Sequence, residues 1–324
     1  MTSENLVCID LDQPELEGFT QFISAWLYRD RNLTFLVDPG PLSTINYLVS
    51  ELEKTGVEKI DYILLTHIHI DHAGGTGALL QKYPEARVLC HPEGIRHMVR
   101  PEKLWQGSLK ILGRMAEAYG EIVPVPENRI FFAENLEDAG IRVFLTPGHA
   151  QHHLCFLFQD LLFAGEVVGV RSPAASGIYM RPATPPRFML DIALDSIERM
   201  IALNPRYLVI AHYGLVEPAP EYLEIGRIQL KLWLQGVRKI VGSGADINPD
   251  AEEKLFKWLI SKDPCYARIR ELPPAVYARE RYFLGNTMRG MNGYLADQAK
   301  EERLGPRRRR RLKQEATPGW GGGA

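Results

Sequence analysis

The sequence predicts an α/β fold, because short apolar segments typical of buried strands alternate with segments of helical periodicity. Residues 62–66, 141–145 and 206–211 are apolar runs of strand length, and each leads into a polar loop that carries histidine. Residues 43–55 and 104–119 instead repeat apolar side chains at helical spacing. From about residue 220 onward only helical patterns follow, which predicts a helical appendage at the C-terminal side.

Composition limits the classes of protein that this chain can belong to. With 324 residues, 45% of them hydrophobic, it can bury a large core. A net charge of -2 gives no general attraction to nucleic acid or to an anionic membrane. No stretch approaches the ~20 apolar residues that span a bilayer, and residues 1–5 lack the basic start of a signal peptide. The four widely spaced cysteines predict free thiols, so we expect a cytoplasmic protein.

The predicted elements follow one another in a regular order. Their bounds are strands at 19–27, 33–37, 62–66, 87–90, 141–145, 154–158, 161–164 and 206–211, and helices at 43–55, 76–82, 104–119, 222–241, 250–261 and 275–295. Ser43 is the expected N-cap of the first helix, which Gly56 closes. Five prolines and glycines between residues 171 and 187 predict an irregular loop there.

One loop concentrates the side chains that bind metal. Directly after the strand at 62–66 come His67, His69, Asp71 and His72, followed by the glycine pair at 74–75. A loop that leaves the end of a strand can direct four such side chains at one point. Imidazole nitrogen and carboxylate oxygen suit zinc, iron or manganese. The sequence therefore predicts a metal site at this loop.

The pattern His-x-His-x-Asp-His with the following glycine pair resembles the signature of the metallo-β-lactamase superfamily, and within it the glyoxalase II-like hydrolases. The resemblance covers about the first two thirds of the chain. It implies a four-layer αββα sandwich. The C-terminal helices resemble the part of glyoxalase II-like proteins that forms one wall of the substrate cleft. No residues match that family's glutathione site, so glutathione is not carried over.

The resemblance also implies a ligand set for two divalent metal ions, with zinc favoured and iron or manganese as alternatives. It assigns His67, His69 and His149 to one ion, and Asp71, His72 and His212 to the other. Glu166 stands where most relatives carry a bridging aspartate, and its extra methylene group changes its reach. Asp71 is also the expected catalytic residue, because it would orient the nucleophile.

Several neighbouring residues have two interpretations. Asp38 either orients a ligating histidine, as the resemblance implies, or is an ordinary turn residue before Pro39. By the same resemblance His153 supports the fold without binding metal, and His152 replaces a frequent glycine. His91 and His97 lie outside any cluster and receive no role.

The loop at 171–187 offers candidate substrate residues. Tyr179, Arg181 and Arg187 could hold an anionic or carbonyl-bearing small molecule, since arginine suits a bidentate grip on carboxylate. Alternatively, the arginines only attach the loop to the body of the protein. The basic run at 307–311 either is a solvated tail or contacts RNA or acidic lipid.

These observations predict a catalytic region at 1–219, a helical region at 220–299 and a disordered basic tail at 300–324. The expected activity is metal-dependent hydrolysis of an ester, thioester or lactone. An iron-dependent redox protein on the same scaffold and a nucleic-acid-processing enzyme are the alternatives. Membrane and nucleic-acid partners are disfavoured, and the apolar helical faces are compatible with a homodimer.

Overall fold

The computed structural model describes residues 5–242, 244 and 247–303. The strands in this part of the chain are β1 (Leu6–Asp10), β2 (Ser24–Arg29), β3 (Thr34–Val37), β4 (Tyr62–Leu64), β5 (Arg87–Leu89), β6 (Ile130–Phe131), β7 (Asn135–Leu136), β8 (Ile141–Leu145), β9 (Leu154–Phe158), β10 (Leu161–Gly165), β11 (Val170–Ala174), β12 (Gly177–Arg181), β13 (Tyr207–Ile210) and β14 (Gly214–Val216).

The strands form two six-stranded sheets and a separate hairpin. In the first sheet the order is β1-β2-β3-β4-β5-β6, and in the second it is β14-β13-β10-β9-β8-β7. Strands β3 to β6 are parallel, as are β10 and β13, whereas the remaining pairs within the two sheets are antiparallel. Strands β11 and β12 pair only with each other.

The helices in this part of the chain are α1 (Ile45–Lys54), α2 (Ile70–Ala73), α3 (Thr76–Lys82), α4 (Pro92–Val99), α5 (Glu102–Leu112), α6 (Arg114–Tyr119), α7 (Leu190–Ala202), α8 (Ala219–Ile240), α9 (Pro249–Lys262), α10 (Pro264–Ala267) and α11 (Pro274–Arg303). Each of the six predicted helical segments contains helix in the structure, which has further helices at α2, α4, α7 and α10 and divides one predicted helix in two. Within the described residues no helix is both long and apolar enough to cross a membrane.

The core has three layers, which confirms the predicted αββα sandwich with C-terminal helices. An aromatic layer lies between the two sheets, where Phe35 of β3 meets Phe158 of β9 and Phe163 of β10 with ring centres 5.3 and 5.6 Å apart. Helices α1, α3 and α4 cover the outer face of the first sheet. Helices α7, α8, α9 and α11 cover the outer face of the second, so the C-terminal helices share a core with that sheet.

The first predicted strand and the first predicted helix cap are wrong. Strand β2 begins at Ser24 instead of residue 19. Phe19, Phe22 and Ile23 lie in the preceding loop, and their apolar side chains are buried there without belonging to the sheet. The hydroxyl of Ser43 donates to Gln13 at 2.8 Å, and a 3-10 turn at Leu42–Thr44 precedes α1.

Two longer segments also differ from the sequence expectation. The helix expected at 104–119 is divided into α5 and α6 at Gly113, whose φ of +55° is a left-handed conformation that suits glycine. Most of the irregular loop expected at 171–187 is the hairpin of β11 and β12. Pro173 fits in this hairpin because both strands of a two-stranded ribbon are edge strands, where proline is tolerated. The basic run at 307–311 lies outside the described residues.

Candidate metal centre

The loop that carries the signature begins in the middle of the first sheet. Strand β4 is buried and has parallel neighbours on both sides, so its carboxyl end is held firmly. The loop then turns into the short helix α2, and Gly75 lies so close to Ile45 that a Cβ there would be 2.2 Å from the Ile45 side chain. These constraints hold His67, His69, Asp71 and His72 above the sheet.

The second sheet supplies the remaining candidate ligands from three strand ends. His149 follows β8, Glu166 follows β10, and His212 follows β13. Gly165 has a φ of +52°, and a Cβ on it would lie 2.4 Å from Nε2 of His153. This close approach lets His153 accept a hydrogen bond from the main-chain N–H of Glu166 at 3.1 Å. His153 thus supports the turn that presents Glu166.

The candidate ligand atoms form two groups. In each group the atoms lie within 4.8 Å of one another, as expected for side chains that can surround one ion. The first group is His67, His69, His149 and Glu166, and the second is Asp71, His72 and His212. In the second group, Oδ2 of Asp71 lies 3.6 Å from Nε2 of His72 and 3.5 Å from Nε2 of His212.

The carboxylate of Glu166 lies between the two groups. Its Oε2 atom is 3.0 Å from Nε2 of His149 and 3.3 Å from Nε2 of His67. The same oxygen is 3.5 Å from Nε2 of His72, and Oε1 is 3.8 Å from Nε2 of His212. One carboxylate therefore faces histidines of both groups.

Two of the candidate histidines have an outer contact that fixes the ring. Nδ1 of His212 donates to the carbonyl of Phe22 at 2.8 Å, and Nδ1 of His149 donates to that of Ala183 at 3.0 Å. These bonds direct Nε2 of each ring towards the other candidate ligands, with Nε2 of His149 3.0 Å from Nδ1 of His69 and Nε2 of His212 3.0 Å from Nε2 of His72. Nε2 of His67 is buried without any hydrogen-bond partner. A buried imidazole nitrogen with an unused lone pair fits a metal ligand, since leaving it unpaired is otherwise costly.

At His67, His69 and Glu166 the electrostatics match the protonation states that metal ligands need. Burial lowers the pKa of His67 well below its ordinary value, and it lowers the pKa of His69 to about 4 together with the nearby His149. Burial alone would raise the pKa of Glu166, but His149 and His212 outweigh it and hold that pKa well below its usual range. Neutral imidazoles and an ionised carboxylate are the coordinating forms.

His72 differs in its pKa from His67 and His69. Burial would lower its pKa, but the carboxylates of Asp71 and Asp38 raise it well above the ordinary value. The pKa of Asp71 is correspondingly lowered against the effect of burial, chiefly by His72. The second group therefore attracts positive charge, and a cation bound there would take the place of the proton on His72.

The three predicted substrate residues do not meet at the ligand groups. The hydroxyl of Tyr179 donates to Glu280 at 2.9 Å, and Arg181 forms a buried ion pair with the same carboxylate. Arg187 is exposed on the loop before α7. These contacts favour the alternative in which the loop is attached to the body of the protein. Its main chain nevertheless reaches the centre, at the carbonyl of Ala183.

Sequence reasoning missed two contacts between residues that lie far apart along the chain, one at the centre and one at the hairpin. Phe22 contacts His212 across 190 positions, and Glu280 receives Arg181 across 99. Glutamate in a long helix and phenylalanine in an apolar run carry no local signal of such contacts. The unassigned His91 accepts a hydrogen bond from Glu93 N–H and caps α4, which is a structural role.

The chain is similar to known proteins over most of this region. The family model described as the metallo-beta-lactamase superfamily matches residues 19–212. The metallo-beta-lactamase fold-containing protein ST1585 of Sulfurisphaera tokodaii is 31% identical over 209 residues, which are 62% of this chain and 76% of that protein. The crystal structure of ST1585, described as an archaeal metallo-beta-lactamase superfamily protein from Sulfolobus tokodaii, covers 89% of this chain and 98% of its own, with a TM-score of 0.64 and 25% identity.

A hydroxyacylglutathione hydrolase of Buchnera aphidicola is 28% identical over 142 residues. The match covers 44% of this chain and 45% of that protein, so the chain spans less than half of this relative.

Proposed function

The chain belongs to the metallo-beta-lactamase superfamily, and we propose that it is a dinuclear metal-dependent hydrolase that cleaves an ester, thioester or lactone. The observation that carries this proposal is the position of Glu166, whose carboxylate faces histidines of both ligand groups within 3.0–3.8 Å. A centre for one ion would need only the first group. A second ion would give Asp71, His72 and His212 a function as its ligands.

The residues divide the work of such a reaction between them. Bound divalent cations supply hydroxide near neutral pH, because they lower the pKa of a coordinated water. Asp71 is suited to orient that nucleophile, since its side chain is 18% exposed whereas that of Glu166 is 5% exposed. His69 is also partly exposed, whereas the side chain of His149 is only 6% exposed and His67, His72 and His212 are buried. The open side of the centre, where a small substrate would approach, therefore lies at Asp71 and His69.

The class of substrate is supported by similarity and by chemistry. Hydroxyacylglutathione is a thioester, so relatives with that name support attack on an activated carbonyl. Because the chain spans less than half of the relative described above, glutathione itself is not proposed. Oxyanion stabilisation by a charged centre suits esters and lactones equally well.

Metal identity decides between this proposal and the redox alternative. Five imidazoles and two carboxylates, without a thiolate, bind zinc, iron and manganese alike. Zinc is the proposed metal because it supports hydrolysis without redox chemistry. We further propose a cytoplasmic location, in line with four cysteines that are all free.

Metal content and hydrolysis, measured on the same samples, test the proposal. We expect about two zinc ions per chain in protein purified without added metal, and hydrolysis of at least one member of a panel of esters, thioesters and lactones. His69→Ala should abolish that activity and lower the metal content. His97→Ala is the matched control, since His97 belongs to neither ligand group, and it should retain both.

Two results would contradict the proposal. Full hydrolysis by His69→Ala would separate the activity from this centre. Iron in place of zinc, with a visible ligand-to-metal absorption band and no hydrolysis, would favour the redox alternative.

A further inference from the structure

Three planar groups are stacked behind the second ligand group. The guanidinium carbon of Arg279 lies 3.9 Å from the ring centre of Phe22. On this ring the imidazole of His212 is stacked, with ring centres 4.2 Å apart and planes 22° apart. Arg279 belongs to α11, so the stack joins the C-terminal helix to a candidate metal ligand.

Phe22 restrains His212 in two ways at once. Its carbonyl accepts the hydrogen bond from Nδ1 of His212, which makes Nε2 the nitrogen that faces Asp71 and His72. Its ring sets the plane of the imidazole by stacking. A hydrogen bond alone would still allow the ring to turn about that bond, and the stack removes this freedom.

Arg279 in turn restrains the segment that carries Phe22. Its Nη1 donates to the carbonyl of Gly18 at 2.6 Å, and its Nε donates to Glu280 at 2.8 Å. Gly18 packs so closely on the start of α11 that a Cβ there would lie 2.4 Å from the carbonyl oxygen of Ala275. The segment from Gly18 to Phe22 is therefore fixed to α11 at both ends by contacts near Arg279.

We propose that Arg279 is a positioning residue for the second metal site, and that it acts through Phe22 to hold the ring of His212. The proposal rests on the dinuclear function proposed above. An arginine placed only for ion pairing with Glu280 would be expected to use all its donors. Nη2 of Arg279 is buried without a partner, which indicates that contact with the Phe22 ring decides its place.

Arg181 provides a matched control for this role. It also pairs with Glu280 and is also buried, but its guanidinium lies over Phe283, 4.9 Å from that ring centre, and reaches Phe22 only through that ring, whose centre is 5.9 Å from that of Phe22. In Arg279→Met, Glu280 keeps Tyr179 and Arg181 as donors. In Arg181→Met, it keeps Tyr179 and Arg279. The two variants therefore damage the same network to a similar extent.

The first test is competitive zinc titration of the metal-free full-length protein against a chromophoric chelator. We expect two binding steps in the unaltered protein. Arg279→Met should weaken one step by tenfold or more and leave the other within about twofold, in line with the effect of contacts that orient ligands. Arg181→Met should leave both within about twofold. Phe22→Leu, which keeps the pair of Arg279 and Glu280, should reproduce the selective loss.

The second test needs no metal. In ¹H–¹⁵N spectra of the metal-free protein, the Nδ1 proton of His212 should exchange slowly with water in the unaltered protein and in Arg181→Met. We expect its exchange to be at least fivefold faster in Arg279→Met and in Phe22→Leu. Circular dichroism and thermal unfolding confirm that each variant is folded.

The outcomes separate failure of this inference from failure of the proposed function. Equal zinc affinities in all four proteins, or equal losses in Arg279→Met and Arg181→Met, would overturn the positioning role. Unchanged proton exchange at His212 would overturn it even if the protein binds only one ion. A single zinc step in the unaltered protein, with faster exchange in Arg279→Met, would instead uphold the role of Arg279 in holding the ring of His212 and refute the dinuclear centre.

Discussion

Asp38 and Thr66 are joined by two hydrogen bonds beneath the metal centre. The main-chain N–H of Thr66 donates to Oδ1 of Asp38 at 2.8 Å, and its hydroxyl donates to Oδ2 at 2.6 Å. Since that hydroxyl gives its proton to Asp38, its oxygen is free to accept one from Nδ1 of His67, 3.0 Å away. Oδ2 also lies 3.4 Å from Nδ1 of His72. Asp38 therefore supports one histidine of each ligand group.

This relationship predicts the effect of Asp38→Ala. Without the carboxylate, His72 loses the charge that lies 3.4 Å from its Nδ1, and the hydroxyl of Thr66 is free to turn away from His67. We expect zinc affinity to fall by about 10- to 100-fold, as for other partners of ligating histidines. Asp61→Ala is the control, because Asp61 accepts from Thr34 N–H in the same sheet without contacting a ligand. Equal affinities in both variants, measured by chelator competition, would show that Asp38 is only a turn residue.

A second prediction concerns the length of the side chain at position 166. Glu166→Asp places the carboxylate one methylene group nearer the main chain, whereas the turn at this position suits the length of glutamate. It cannot then keep both the 3.0 Å approach to His149 and the 3.8 Å approach to His212. We expect elemental analysis to find about one ion per chain in place of two. Glu166→Gln, which keeps the length but not the charge, separates reach from charge, and full loading of Glu166→Asp would contradict the argument.

The buried carboxylate of Glu280 predicts a pH-dependent stability. Burial raises its pKa, but Arg181 and Arg279 outweigh burial and hold the pKa below its ordinary value. Ionised Glu280 therefore stabilises the fold fully above the unfolded-state pKa of about 4.3, and that contribution is lost as pH falls through the folded-state pKa.

At pH 7 we expect Glu280→Gln to lower the free energy of unfolding by about 3–5 kcal/mol, because two buried guanidinium groups lose their counter-charge. The difference between the unaltered protein and the variant should stay constant from pH 7 to about pH 5 and shrink below about pH 4. Urea unfolding of both metal-free proteins across this range measures it. A difference that grows in acid would contradict the assignment.

Two glycines of α11 make a matched pair for the packing of that helix. A Cβ on Gly290 would lie 1.8 Å from the carbonyl oxygen of Thr184, whereas nothing lies within 4 Å of a Cβ on Gly293. Gly290→Ala should therefore lower the free energy of unfolding by at least about 1–3 kcal/mol. Gly293→Ala should raise it by about 0.5–1 kcal/mol, since alanine favours helix. Similar urea midpoints for the two variants would mean that α11 does not pack here.

Local chemistry explains why much of the fold and the order of candidate ligands could be predicted. His67, His69, Asp71 and His72 are close in sequence, and each later candidate follows a strand whose apolar run is visible. The bounds of α3 and of β8 follow from the same periodicity. In these places the residues that determine the structure are neighbours along the chain.

The remaining features depend on contacts between distant residues. The segment at 19–27 is predicted as one strand because Phe19, Phe22 and Ile23 are apolar, but these three side chains are buried from a loop and the strand begins only at Ser24. The segment at 171–187 looked irregular because nothing local reports that Glu280, a hundred residues away, would receive Tyr179 and Arg181. The break between α5 and α6 at Gly113 depends on a single backbone conformation that an amphipathic pattern does not encode.

The aromatic layer between the sheets has a consequence for how this centre can change. Both ligand groups draw side chains from both sheets, so the spacing between the sheets enters every distance in the centre. Phe35 and Phe163 act as spacers, because β3 leads to Asp38 and β10 leads to Glu166. A smaller side chain at either position would let the two sheets move closer to each other and would alter the size of the ion that fits. Substitutions in the buried aromatic layer can therefore change the metal preference while every ligand stays the same.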